Sequence, residues 1–320
     1  MREKIFFPGK TLCQVIDEIR SLNEKKVTLL DLSGHGLWSS LVLRAYVTAL
    51  IETEVIHLDL SENQLYKMYH EDLADLIDLL KETSVTHLDL RLNAFWKKSG
   101  AELAELAAAF KGTGVTHLSL AGNELGKKTG AELAELAAAF KDTGVTHLSL
   151  AGNELGKKTG AELAELAAAF KDTGVTHLDL PLNCLESKSD EEFNEFVEAL
   201  PDNIVSVGFG YFGAEDMTTF KRQTLQHRFG SADNIVLYNN EFDEYLDVYN
   251  IDIQRLEPSL RREDANAYRA LGFNTPIPSL RSSCAFFAAQ NISVPTCQST
   301  LPSELIAYVD ALRTSTIANK

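Results

Sequence analysis

Nowhere in the 320 residues does an uninterrupted apolar run approach the roughly eighteen residues of a membrane-crossing helix. Met1 to Lys10 groups only Ile5, Phe6 and Phe7, too short for the core of a signal peptide. Cysteine is sparse: Cys13, Cys184, Cys284 and Cys297 lie far apart with no C-x-x-C pair, which argues against a metal knuckle or redox couple. The expectation is a soluble cytoplasmic chain with reduced thiols, no membrane span and no conventional signal. Positive charge is short as well. Thirty Lys and Arg stand against 46 Asp and Glu, a net charge of -16, so a basic groove along a phosphate backbone is not expected, and neither is nucleic acid. Catalytic signatures are missing too: there is no H-E-x-x-H, no G-x-S-x-G and no Gly-rich phosphate loop. The glycines of GFGYFG, residues 208–213, do not open a helix after a strand at dinucleotide-binding spacing. No enzyme activity, cofactor or metal is expected.

What is present is repetition. Residues 115–144 and 145–174 are the same 30 residues, VTHLSLAGNELGKKTGAELAELAAAFKDTG. The frame apolar, x, x, Leu, x, Leu, x, x, Asn, x, apolar places unit starts at Val27, Val55, Val85, Val115, Val145, Val175, Ile204 and Ala232, in steps of 28 to 30 residues. Each unit reads as strand, turn and helix. Val115 to Leu120 alternates, Thr129 and Glu132 form a T-x-x-E capping box, and Gly144 is expected as a left-handed stop, giving a helix from about Gly130 to Lys141. Leu133, Leu136, Ala137 and Phe140 fall at i, i+3, i+4 and i+7, a stripe that no unit can bury alone. Stacking buries it, so parallel strands line the inside of a curved solenoid and helices its outside.

This frame resembles the leucine-rich repeat family, and its unit length with a full helix resembles the ribonuclease-inhibitor-like subclass. The frame's asparagine recurs at Asn63, Asn93, Asn123, Asn153, Asn183 and Asn240, while His35 and Phe212 replace it. A carboxamide there can bond turn groups that no strand satisfies. The resemblance implies an α/β horseshoe of about eight units over 27–242. Thr11 and Gln14 form another capping box, so residues 1–26 read as an N-terminal helical cap. The repeat is lost over 243–320, which holds five of the eight prolines and is expected to form a C-terminal helical appendage.

Strand side chains alternate, so the residues flanking the two buried leucines of each unit point out of the concave face. One column reads His57, His87, His117, His147, His177. The next reads Asp31, Asp59, Asp89, Ser119, Ser149, Asp179, and the third Ser33, Ser61, Arg91, Ala121, Ala151, Pro181. These columns make His57, Asp59, His87, Asp89, Arg91, His117, His147, His177 and Asp179 the candidate binding residues. A metal array would need imidazoles converging on one ion, whereas a ladder holds them parallel. A pH-sensitive surface and a merely polar inner face are the other readings of the ladder. The two copied units offer a smooth middle, while the units on either side carry the distinctive Arg91, Leu92, Phe95 and Trp96, and Pro181, Leu182 and Cys184, which could anchor a partner; Trp96 reads equally as a turn residue packed on its neighbour.

In the C-terminal region, PSLRSSCAFFAAQN places Leu280, Cys284 and Ala288 at i, i+4 and i+8 with Phe287 alongside, and LPSELIAYV follows with Leu301, Pro302, Leu305, Tyr308 and Val309. Residues 278–309 resemble a SOCS box, which implies an elongin-type helix at Leu280, Cys284, Phe287 and Ala288 and a cullin-type segment at Leu301, Pro302, Leu305 and Tyr308. Elongin C with elongin B and a cullin are the implied partners. Ala288 is smaller than the usual aliphatic residue, and the second motif lacks its usual second proline. The same helices also read as a cap that folds back on the end of the stack, burying Leu280 and Phe287 in the same molecule. The near-perfect copies, acidity and cysteine pattern look similar to secreted bacterial leucine-rich-repeat effectors, which implies a host protein as partner in the host cytosol. The alternative is an acidic inhibitor or scaffold for a basic protein partner.

Overall fold

In the computed structural model, residues 2–4, 10–37, 39–211, 217–231, 234–239 and 254–255 are described. Among the described residues up to Asn239, strand and helix alternate. The strands are β1 (Arg2–Lys4), β2 (Leu29–Asp31), β3 (His57–Asp59), β4 (His87–Asp89), β5 (His117–Ser119), β6 (His147–Ser149), β7 (His177–Asp179), β8 (Ser206–Tyr211), β9 (Ile235–Asn239) and β10 (Gln254–Arg255). Between them run α1 (Leu12–Ser21), α2 (Ser40–Leu50), α3 (His70–Asp78), α4 (Gly100–Ala108), α5 (Gly130–Ala138), α6 (Gly160–Ala168), α7 (Asp190–Ala199) and α8 (Thr219–Phe229). The sheet order follows the chain, and every pairing from β1 to β9 is parallel. Register advances by one unit per strand: Leu58, Leu88, Leu118, Leu148 and Leu178 sit side by side, followed by Val207 and Ile235.

Packing follows from that register. Leu118, Leu120 and Leu148 are buried, as are Leu133, Leu136, Ala137 and Phe140 from the expected helical stripe. Phe110, Phe140 and Phe170 take the same place in successive units and are buried to no more than 1% exposure. A buried phenylalanine contributes about 1.5–3 kcal/mol from apolar burial, so the core repeats its stabilisation with the sequence.

The turns carry the second repeated device. Three capping-box glutamates each serve two units: Glu132 accepts from the N–H of Thr129 at 2.9 Å and, with its other oxygen, from the N–H of Gly100 in the preceding helix at 3.1 Å. Glu162 and Glu192 repeat this toward Gly130 and Gly160. A Cβ on Gly100 would lie 2.6 Å from Glu132 Cγ, so glycine at the helix start permits this approach. On the strand side, the asparagine of the frame is flanked by two left-handed residues, Gly122 and Glu124 around Asn123, and Leu92 and Ala94 around Asn93. Such a backbone is costly for residues with a Cβ, and the asparagine bonds hold it in place. Asn63 does the same for the first turn, accepting from the N–H groups of His35 and Leu37 at 3.0 and 3.1 Å, so a histidine in that unit leaves the ladder intact.

Three features differ from the sequence expectations. The helices end at Ala138 and Ala168 rather than near Lys141 and Lys171, because the N–H groups of Phe140 and Lys141 turn to carbonyls three residues back. The left-handed reversal then falls two residues early, at Asp142, Asp172 and Gly112, and a Cβ on Gly144 would lie 3.4 Å from Val115 O at the start of the same unit. The N-terminal segment has the expected α1, with its Thr11 and Gln14 capping box, but also contributes β1, which pairs in parallel with β2. Beyond residue 242, β10 pairs antiparallel with Tyr238 and Asn239, a strand where a helical region was expected. Phe212, Asn240 and the SOCS-box-like residues Leu280, Cys284, Phe287, Ala288, Leu301, Pro302, Leu305 and Tyr308 lie outside the described residues. Among the described residues, no helix is long and apolar enough to cross a membrane.

Candidate functional site

The strands are short, so each offers the inner face little more than its two outward residues. Parallel register lines these up: His57, His87, His117, His147 and His177 are successive partners from β3 to β7. Their rings stack with centroids 4.0 Å apart at every step. The last three pairs are nearly parallel, at 14°, 13° and 12°, while His57 tilts by 32° from His87. The residue before each later histidine fixes its ring. Nδ1 of His87, His117, His147 and His177 lies 2.8 to 2.9 Å from the hydroxyl of Thr86, Thr116, Thr146 and Thr176. Those threonines were not singled out by the sequence reading, although the Thr-His pair recurs in four units.

The same stacking that orders the rings makes them reluctant to charge. Burial lowers the pKa of His87 to about 4, with His117, His57 and His147 adding repulsion, and burial with His117 and His177 does the same for His147, also to about 4. Burial lowers His57 and His117 as well.

The neighbouring column folds back on its own turn. Asp59 accepts from the N–H and hydroxyl of Ser61 at 2.9 and 2.6 Å. Asp89 accepts from the N–H of Arg91 at 2.9 Å and from its Nε at 2.6 Å. Burial and then Asp59 push the Asp89 carboxyl upward, against the attraction of Arg91. In the two copied units serine replaces the aspartate, and Ser119 Oγ only grazes the N–H of Ala121 at 3.5 Å. His57, Asp59, His87, Asp89, Arg91, His117, His147, Ser119, Ser149 and Asp179 line one open concavity of about 340 Å³. His177 extends the stack beyond it. The rings run side by side, and among the described residues no three His, Cys, Asp or Glu side chains are arranged to hold a metal ion.

The proposed end anchors divide. Phe95 is fully buried in the core and unavailable to a partner, because its position in the frame is the apolar one after the asparagine. Trp96 packs laterally: Lys127 Nζ sits 3.8 Å from its ring centroid, and Lys97 Nζ lies 3.9 Å from the Tyr66 ring. Pro181 is buried, Leu182 half-buried, and Cys184 exposed in a left-handed conformation. A second column went unnoticed in the sequence. Lys98 is 3% exposed and donates to the carbonyl of Met68 at 2.8 Å, with Glu102 at 3.7 Å; Lys128, Lys158 and Lys188 repeat the pairing with Glu132, Glu162 and Glu192. Lysine followed four residues later by glutamate in each unit was the available signal.

Among solved structures, the chain is similar to the leucine-rich repeat-containing protein LegL7 from Legionella pneumophila, with a TM-score of 0.59 and 26% identity over 88% of this chain and 100% of that one. The tropomodulin C-terminal domain of Caenorhabditis elegans aligns at a TM-score of 0.35 and 10% identity, over 51% of this chain and 93% of that domain. A mandelate racemase/muconate lactonizing enzyme from a marine actinobacterium aligns at 0.31 and 12% identity, over 65% of this chain and 53% of that one. Both likenesses are too slight to carry weight. No family model matches the chain, and neither does any curated protein. With parallel strands and helices recurring from β2 to β9, and an alignment that spans the whole length of LegL7, the fold is a leucine-rich-repeat solenoid.

Proposed function

We propose that the chain is a non-enzymatic protein-binding module that takes its partner on the inner face of the sheet. One observation carries this reading: the groove of about 340 Å³ is lined by His57, Asp59, His87, Asp89, Arg91 and Asp179, polar side chains at positions whose burial the solenoid does not require. A broad polar sheet with one arginine and several aromatic rings suits a macromolecular surface better than a small-molecule cavity. Capture from lysate with the wild-type chain and with an Arg91→Glu, His117→Ala double variant tests it. A partner retained by the wild type and by an exposed helix-side variant such as Glu135→Ala, but lost with the double variant, supports the inner face. Equal retention by all three chains refutes it.

The finer reading is a bacterial effector whose inner face binds a host protein and whose SOCS-box-like segment recruits elongin C and a cullin. Its support is the likeness to a Legionella protein and the motifs at 278–309. Pull-down from eukaryotic lysate checks it directly: recovery of elongin C that is lost with Leu280→Ala and Cys284→Phe supports recruitment, and no recovery ends that reading. The carboxylates of Asp59, Asp89 and Asp179 in the groove favour a second reading, an acidic inhibitor or scaffold for a basic protein. Affinity that drops steeply as salt rises would distinguish it.

A further inference from the structure

The histidine stack is not needed to hold the solenoid, since leucines and asparagines already tie each unit to the next. It is nonetheless more ordered than a row of surface side chains. Five rings keep the same 4.0 Å spacing, and four of them are pinned by threonine hydroxyls. We propose that this stack is an acid-responsive element of the binding face: uncharged, it keeps the groove ordered near neutral pH, and proton uptake by its middle rungs drives neighbouring rings apart and alters the surface offered to a partner. The bearing on a partner rests on the protein-binding reading given above.

Two physical consequences of protonation act together. Like charges on rings 4.0 Å apart repel strongly in a half-buried setting, so adjacent rungs cannot charge without separating. A charged ring also makes Nδ1 a donor. Each threonine hydroxyl can then only accept from it, and its own proton is confined to the carbonyl of the preceding unit, which it already faces at 3.2 to 3.4 Å. Those carbonyls already accept two N–H groups each, for example Thr86 O from Thr116 and His117 at 2.9 and 3.0 Å. Among the described residues of β2 to β7, the charged groups that share the inner face are Asp31, Asp59, Asp89 and Asp179 in the adjoining column, and Arg91 beyond it; the helices pack on the opposite side of the sheet. Asp59 and Asp89 are engaged with their own turns, by Ser61 and by Arg91, and the interactions that move His87 and His147 are burial and the other histidines.

Proton NMR of the imidazole Cε1–H resonances tests this on the wild-type chain without any partner, so its failure leaves the protein-binding reading standing. In the folded protein His87 and His147 are expected to titrate at about pH 4, roughly two pH units below the same residues in the urea-unfolded chain, and to lose their upfield ring-current shifts in that step. In a His117→Gln variant, the midpoints of His87 and His147 are expected to rise toward the unfolded reference, because one charged neighbour is gone. Titration of all five rungs together near the unfolded midpoint would overturn the proposal. So would proton uptake that leaves the ring-current shifts in place, or midpoints indifferent to His117→Gln.

Discussion

Asn123 and Asn153 are joined directly: the backbone N–H of Asn123 donates to the side-chain oxygen of Asn153 at 2.9 Å. The same oxygen accepts from Leu125 at 3.2 Å, and the amide nitrogen of Asn153 donates to Leu120 and Leu150 at 3.0 Å. Every one of these groups is buried. Asn153→Ala therefore orphans two N–H groups of the preceding turn, each costing about 1–3 kcal/mol. Urea unfolding is expected to show a loss of roughly 2–5 kcal/mol. A loss below about 0.5 kcal/mol, the range of neutral surface changes, would show that the ladder is dispensable.

Acid should weaken the fold in a definite window. His87 and His147 take up a proton near pH 4 when folded and near the ordinary histidine value of 6.5 when unfolded. Between those values the unfolded chain holds more protons, so lowering pH favours it, and the effect of these two groups is complete once both states are protonated below about 4. The melting temperature of the wild type is expected to fall more steeply from pH 6.5 to 4 than that of a His87→Gln, His147→Gln variant. Parallel curves would contradict this.

One unit is removable. Deleting residues 115–144 joins Gly114 to Val145, and because 145–174 repeats the deleted sequence, the new junction and the one new interface match those already present. The shortened chain is expected to fold cooperatively, with an unfolding m-value reduced in proportion to the lost surface. Aggregation or a non-cooperative transition would mean that the units are not interchangeable.

The lysine columns should separate by burial. Lys98→Met leaves the carbonyl of Met68 without its 2.8 Å donor and is expected to destabilise by about 1–3 kcal/mol. Lys127→Met removes an exposed contact over Trp96 and is expected to cost at most about 1 kcal/mol. Chemical denaturation of the two variants side by side decides the order.

Much of this was legible before any coordinates. The period gave the strands, the Thr129 and Glu132 box gave the helix start, and alternation put the histidines on one face. Helix ends were less legible, because propensity favours continuing through Ala139 and Phe140, while the need to return to the sheet tightens the last turn. Ring stacking was invisible as well. Alternation sets which side a residue faces, but the 4.0 Å contact depends on Thr86, Thr116, Thr146 and Thr176 choosing each ring's orientation. Phe95 was misjudged because an aromatic beside Trp96 looked like an anchor, whereas its place in the frame is occupied by buried leucine in the copied units.

The reversed direction of β10 bears on assembly. A sheet built from interchangeable parallel rungs invites another molecule to continue it at either margin, head to tail, without limit. Antiparallel pairing of Gln254 and Arg255 with Asn239 and Tyr238 places a strand of the wrong polarity at one margin, so a second molecule cannot simply resume the pattern there. Among the described residues, the run of parallel rungs is thereby broken at that margin.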